Sequence, residues 1–301
     1  MSHEPADAGI QHLSPLAPAA GEAELLAARP IRGRVRFRGG MAMAGAVLFG
    51  LIVLVAILAP VLRPNPNAIN LFAISKPPSW AHPLGTDPSG RDLLARVLAA
   101  ARTDLLIGIL GVMLSFVVGG AIGVILGYRR GLGSAVFMRG LDALQAFPLL
   151  IFALALLAFL GQSVSTIIYA VAFVNAPIFI RLMRTESLAV TQQPFIEAAR
   201  SIGNPPWRVV SHHLLPNVLT SSLTQLTSAV GTAIILTGGL SFLGVGVQPP
   251  QAEWGALIQA GAQSMTTGQW WLAVFPGIAL LITVISLQMI GEGFVRSRRV
   301  R

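Results

Sequence analysis

The groups in this 301-residue chain that could do chemistry are few, and their spacing points away from catalysis. Lys76 is the only lysine and Pro77 follows it, so the Gly-x-x-x-x-Gly-Lys-Ser/Thr loop that cradles nucleotide phosphates is absent. There is no cysteine, which excludes disulfides and thiol chemistry. His212 and His213 are adjacent, and neighbouring side chains on a helix point in different directions, so they make no metal site unaided. His82, Asp87 and Asp92 lie in the string His82-Pro-Leu-Gly-Thr-Asp-Pro-Ser-Gly-Arg-Asp92, where turn chemistry accounts for them better than a metal does. Thr86 and Asp87 can close a turn, Gly90 permits an unusual backbone angle, and Asp92 can cap the helix that follows. Asp104 and Asp142 fall at the expected starts of helices, where a carboxylate suits the N-terminal dipole.

What the polar residues can do is bind and conduct. Glu197 to Asn217 is a polar island between long apolar runs. It opens as a helix on which Phe195, Ile196, Ala198, Ala199 and Ile202 can share a face. It stops at Gly203, a residue suited to a left-handed helix end, and Asn204, Pro205 and Pro206 enforce a turn. A second short helix, Trp207 to Leu214, is expected to feed Pro216 and the next apolar run. Two short helices joined at a glycine are expected to form a docking element, the plainer reading being an ordinary loop between two membrane helices. Gln145, Asn175, Thr224, Gln225, Thr227, Thr232 and Gln288 are polar positions inside apolar runs. They are the candidates for lining a path, because a polar group facing lipid is costly, although each serves a helix–helix hydrogen bond equally well. None is charged, and no buried carboxylates stand out, which argues against a proton relay.

The elements that position these residues must sit in a bilayer. The chain is 54% hydrophobic and 11% charged, with a mean hydropathy of +0.71, where soluble domains carry about 25% charged residues. Six apolar runs read as membrane helices: Met41–Leu62, Leu105–Tyr128, Leu141–Leu160, Val164–Met183, Val218–Val247 and Leu272–Ile290. The first is longer than the roughly 7–15-residue core of a cleaved signal peptide. Gly111, Ser115, Gly119, Gly123 and Gly127 recur every four residues and predict a close helix contact. Pro148 and Pro177 are expected to kink their helices, and Gly238, Gly239, Gly244 and Gly246 to break the fifth run. Trp254, Trp270 and Trp271 suit a membrane interface. The net charge of +9 is carried by arginines between the runs, a topology signal rather than a nucleic-acid footprint. With both termini inside, 16 of the 21 Arg and Lys residues fall on the inside, at the N-terminal tail, after the second run, around the polar island and at the C-terminus.

Glu197-Ala198-Ala199, Gly203 six residues after Glu197, and Leu214-Leu215-Pro216 together resemble the EAA loop of permease subunits of binding-protein-dependent ABC importers. The string from His82 to Asp92, and Leu240-Ser-Phe-Leu-Gly-Val-Gly-Val-Gln-Pro-Pro250 followed by Trp254-Gly255, resemble the C-type permeases of dipeptide, oligopeptide and nickel importers. Gly291-Glu292-Gly293 stands where that family tends to carry Gly-Asp-Gly, and its closing Asp-Pro is missing. The resemblance covers roughly residues 30–295. It implies an all-α polytopic membrane protein of the type I ABC importer permease fold, with six transmembrane helices and both termini cytoplasmic, in a bacterial or archaeal inner membrane.

It also implies a non-catalytic subunit that pairs with a second permease as a heterodimer. Two ATPase subunits that hold ATP and Mg would bind the EAA loops, and an external binding protein would deliver peptide. No cofactor is expected on this chain itself. Glu197, Ala198, Ala199, Gly203, Trp207, Arg208, Leu215 and Pro216 become the expected ATPase-coupling residues, and Gln145, Asn175, Gln225 and Gln288 the expected path residues. The expected parts are an N-terminal tail at 1–40, mostly disordered, the first helix with an external segment at 41–103, the permease core at 104–295 with its coupling loop near 192–216, and a basic tail at 296–301. Nickel or glutathione-like substrates are the alternative cargo, and an ATP-independent secondary transporter the competing class. Gly203→Asp is expected to uncouple transport by distorting the bend.

Overall fold

Long apolar runs between Gly and Pro breakers give helices throughout. The computed structural model describes residues 39–298; the side chains of Thr220, Ser221, Thr224 and residues 294–298 lie outside the described set. The expected tails therefore lie largely outside it, as does Thr224 as a path candidate. Ten α-helices follow in order: α1 (Gly39–Leu62), α2 (Leu93–Tyr128), α3 (Leu132–Gln145), α4 (Leu149–Leu160), α5 (Val164–Val190), α6 (Pro194–Ser201), α7 (Pro206–Arg208), α8 (Leu215–Phe242), α9 (Trp254–Ser264) and α10 (Trp271–Arg298). Among the described residues the only β feature is an isolated antiparallel bridge between Thr86 and Asp92. Among the described residues five helices are long and apolar enough to cross a membrane, and α3 with α4 makes a sixth if that bent pair counts as one span.

The core lies where α2, α5 and α8 meet. Ile107, Val112, Val171, Phe179, Ala233 and Ile234 are buried there. The small-residue stripe sets the spacing of α2 and α5 as the sequence predicts. A Cβ added at Gly119 would lie 2.9 Å from Ala176 O, and one at Gly127 2.7 Å from Arg184 O, so the two backbones touch. α1 is apolar on every side and leaves Val47, Leu51, Leu54 and Val61 exposed, as a lipid-facing helix does. It packs on α10, where Gly45 meets Met289 and Gly293 meets Ala42.

Several expectations need correction. The third run is not one helix: α3 and α4 meet at 87°. Pro148 has no N–H to continue the helix, and the residue before a proline is pushed out of the helical region. Pro177 instead sits buried inside an uninterrupted α5. The second run begins at Leu93, so Asp104 lies inside a helix and not at its start. Asp142 lies near the end of α3, where it pairs with Arg181 at 2.6 Å. Gly238 and Gly239 do not break α8. Gly255 of α9 is the glycine that close packing requires, since a Cβ there would lie 2.2 Å from the Gly238 carbonyl oxygen. The helix ends instead at Gly244, whose φ is 82°. Trp254 and Trp271 are buried and only Trp270 is exposed, because α9 folds back into the bundle and the Trp254 indole N–H donates to Val97 O at 3.1 Å.

That return of α9 explains two buried carboxylates the sequence did not announce. The first N–H groups of a helix have no partner within it. Glu253, the N-cap, accepts from Gly255 N at 2.9 Å and Ala256 N at 2.8 Å. Asp104 accepts from Trp254 N at 3.0 Å across the bundle. Neither residue has accessible surface. Removing the acceptor leaves a buried N–H unpaired, which costs about 1–3 kcal/mol. Asp104→Ala is therefore expected to lower the melting temperature of the purified chain, and Asp104→Asn, which keeps an acceptor oxygen, to lower it less. Equal melting of wild type and Asp104→Ala would show that this contact contributes nothing.

Candidate coupling surface

The polar island is a defined two-part element. In α6, Pro194 occupies the first turn, where its missing N–H costs nothing. Two hydrogen bonds close the far end: Asn204 N donates to Ala199 O at 3.3 Å and Gly203 N to Arg200 O at 2.9 Å. This is a Schellman ending, with Gly203 at φ 82° in the left-handed region. The Asn204 side chain adds a third bond to Ala199 O at 3.0 Å. A Cβ on Gly203 would meet nothing within 4 Å, so the glycine is required by backbone angle and not by crowding.

The segment after the turn differs from the expected short helix. α7 runs through a π-helical turn, Val209–Leu214, directly into α8, with Leu215 N bonded to Val210 O. Pro216 supplies the reason: it has no N–H to bond four residues back, and its ring would strike that carbonyl. The wider π turn accommodates both. The element is thus continuous with a core helix.

The apolar residues of α6 divide into two stripes. Ile196 and Ala199 are buried with Val209 against Tyr128 and Val190. Phe195, Ala198 and Ile202 point away from the bundle, and Phe195 and Ile202 are 44% and 80% exposed. Positions 195, 198 and 202 follow helical spacing among themselves, so a second stripe was present in the sequence, merged there with the first. Trp207, just after the turn, is 67% exposed. Arg200 is held over the Tyr128 ring, 5.0 Å from its centre, a cation–π contact that joins α6 to the end of α2. Glu197 is exposed and makes no ion pair among the described residues. Arg208 is exposed, Leu215 is half-buried, and Pro216 lies at the start of α8. The result is an apolar patch ringed by charge and anchored from beneath.

The polar positions within the bundle separate. Asn175 is buried and its amide donates back to Val171 O at 2.9 Å, so it serves its own helix and not an open wall. Gln288 accepts from Ser228 Oγ at 3.1 Å, joining α10 to α8. Thr232 bonds Ser228 O. Gln145 is exposed and bound by Arg181, which also holds Asp142. Gln225 and Thr227 are half-buried on α8. At the opposite end of α2 the string from His82 to Asp92 is a built turn. Asp87 accepts from Ser89 N and Arg91 N at 2.9 and 2.8 Å, and Asp92 caps α2 through Ala95 N at 2.9 Å while bonding His82 at 2.8 Å. Gly90, at φ 77°, lies against the Asn70 carbonyl, where no Cβ fits.

Residues 119–300 match the family model described as the binding-protein-dependent transport system inner membrane component. Residues 37–78 match the N-terminal TM domain of oligopeptide transport permease C. A probable D,D-dipeptide transport system permease protein of Escherichia coli (strain K12) is 36% identical over 84% of this chain and 85% of its own length. A glutathione transport system permease protein of Escherichia coli O6:K15:H31 is 38% identical over 85% of each. A chain of the inward-facing MetNI methionine ABC transporter shares the fold at a TM-score of 0.55 and 20% identity, over 68% of this chain and 95% of that one.

Proposed function

The chain belongs to the binding-protein-dependent transport system inner membrane components, and from that premise we propose that it carries peptides, docking on ATPase subunits through the α6–α7 element. It is the permease subunit of an ABC importer, and hydrolysis resides in another subunit. The observation that carries the docking reading is the outward stripe of Phe195, Ala198 and Ile202 with Trp207 and Glu197, which has no ion pair among the described residues, on an element fixed to the bundle by Ile196, Ala199 and Val209. A patch of exposed aromatic and aliphatic residues with a charged rim is what a partner protein buries.

In this reading the patch faces the cytoplasm, where arginines flank it in the sequence and where ATP is. Two ATPase subunits, holding ATP and Mg, grip the loops of this chain and of a second, different permease, and an external binding protein delivers the cargo. ATP-driven closure moves the loops, and the helices alternate their opening. Gln225 is the better path candidate, since Asn175 and Gln288 are occupied in helix contacts and Gln145 is held by Arg181. Peptides are the cargo because the D,D-dipeptide and glutathione permeases are the relatives. The second of these keeps glutathione-like peptides as the specific variant.

Glu197 tests the docking reading. Its side chain makes no contact that holds the fold among the described residues, so Glu197→Arg is expected to leave melting unchanged and to cut ATP-driven uptake by about tenfold or more, the scale of a lost charged interface contact. Unchanged uptake with unchanged co-purification of the ATPases would sink the reading. Uptake of a labelled dipeptide into proteoliposomes, dependent on ATP and on the binding protein, tests the cargo.

A further inference from the structure

At the end of the bundle away from α6, the turn around Asp87 and the chain between α8 and α9 enclose an open cavity of about 570 Å³. That size lies in the range of small-ligand pockets, about 300–1,000 Å³. Its lining includes Asp87, Arg91, Arg96, Gln248, Gln259 and Gln263. Arg96 is only 6% exposed, and its Nε has no hydrogen-bond partner. The Nε of Arg91 is buried and unpartnered as well. A buried guanidinium group left short of acceptors is costly, and such groups in native proteins call for an explanation. Arg96 is partly served: Nη1 donates to Asn67 Oδ1 at 2.9 Å, and Nε lies 4.0 Å from Asp87 Oδ2. Arg91 makes no side-chain hydrogen bond among the described residues. Two guanidinium groups against one carboxylate leave the cavity one positive charge in excess.

The geometry points to a carboxylate-reading subsite: we propose that this cavity takes the terminal carboxylate of a short peptide, with Arg91 as its principal partner and the glutamine amides meeting the peptide backbone. Arginine matches a carboxylate with paired N–H donors. Glutamine offers both a donor and an acceptor, which suits a backbone whatever its side chains. The inference rests on the peptide reading above and adds which end of the cargo this chain recognises.

The test is equilibrium binding of trialanine and of trialanine amide to the complete importer in nanodiscs without its binding protein, followed by ligand-observed NMR. Trialanine is expected to bind about tenfold more tightly than its amide, the scale of one charge-assisted hydrogen bond. Arg91→Gln is expected to abolish that difference and Arg91→Lys to restore part of it. Gln259→Ala is expected to weaken both probes alike. Equal binding of the two probes, no binding of either, or a difference that survives Arg91→Gln overturns the proposal. So does a loss, in Arg91→Gln, of affinity for the unloaded binding protein, which would make the cavity a protein contact. Discrimination at the cavity without ATP-driven peptide uptake would instead overturn the cargo reading and leave the subsite standing.

Discussion

Gly203→Val is expected to reduce ATP-driven transport at least tenfold, by a rough conversion of backbone strain into lost closure, while the bundle melts as wild type. A non-glycine residue in the left-handed region costs about 1–2 kcal/mol, and a β-branched one more. That strain falls on the two bonds closing α6, from Gly203 and Asn204. The position is exposed, so the core does not register it. Structure also revises the aspartate substitution. With open space beyond the Cβ, and with aspartate among the residues that tolerate left-handed angles, Gly203→Asp strains the bend less than valine does. The expected order of transport is wild type, then aspartate, then valine, measured in proteoliposomes with matched amounts of complex. An aspartate variant worse than valine would place the defect in the ATPase contact and overturn the account based on the bend.

Gly123→Val carries the second large effect, and it acts on folding. A Cβ there would lie 2.5 Å from Ile180 O and 2.9 Å from Met183 Cβ. Neither neighbour can yield cheaply: one is helix backbone, and Met183 is itself buried against Val124 and Leu214. Overpacking of this kind costs about 1–3 kcal/mol or more, and here it must part α2 from α5 along their shared stripe. The expected result is loss of the folded chain from detergent extracts, read by size-exclusion and thermal melting. Gly140→Ala is the control. Its Cβ would meet nothing within 4 Å, and alanine is favoured over glycine in a helix by up to about 1 kcal/mol, so stability should hold or rise. Equal melting of the two variants would remove the stripe from the packing account.

The readings that succeeded were local or periodic. Asp92 as a helix cap, Gly203 as a left-handed ending and the four-residue glycine stripe each depend on neighbours within a turn or two, and each appears in the structure. The failures have a common cause. Asp104 finds its partner at Trp254, far along the chain, and no spacing rule foretells that bond. Glu253 drew no reading from the sequence, and its role as the buried cap of α9 appears only with the fold. The α3–α4 corner falls at Pro148, where a kink is expected, but its size was hidden because apolar composition continues through Phe147 and Pro148 while the axis turns by 87°. The α6 stripes were merged because hydrophobicity alone does not distinguish a face meant for the core from one meant for a partner. The cavity by Arg91 depends on three separated segments, of which the sequence showed only the turn chemistry around Asp87.

The π turn has a mechanical consequence. Because α7 passes without a gap into α8, a rod reaches from the Gly203 bend to Phe242, roughly 55 Å at 1.5 Å per residue. Its far end supplies Ser241 to the wall of the arginine cavity, with Gly244 just beyond. If that rod moves as one piece, a tilt imposed at the bend would reach the other face, and a ligand in the cavity would act on the same helix from its far end. Coupling of this kind is reciprocal, so the ATPases would sense a filled cavity through one piece of helix.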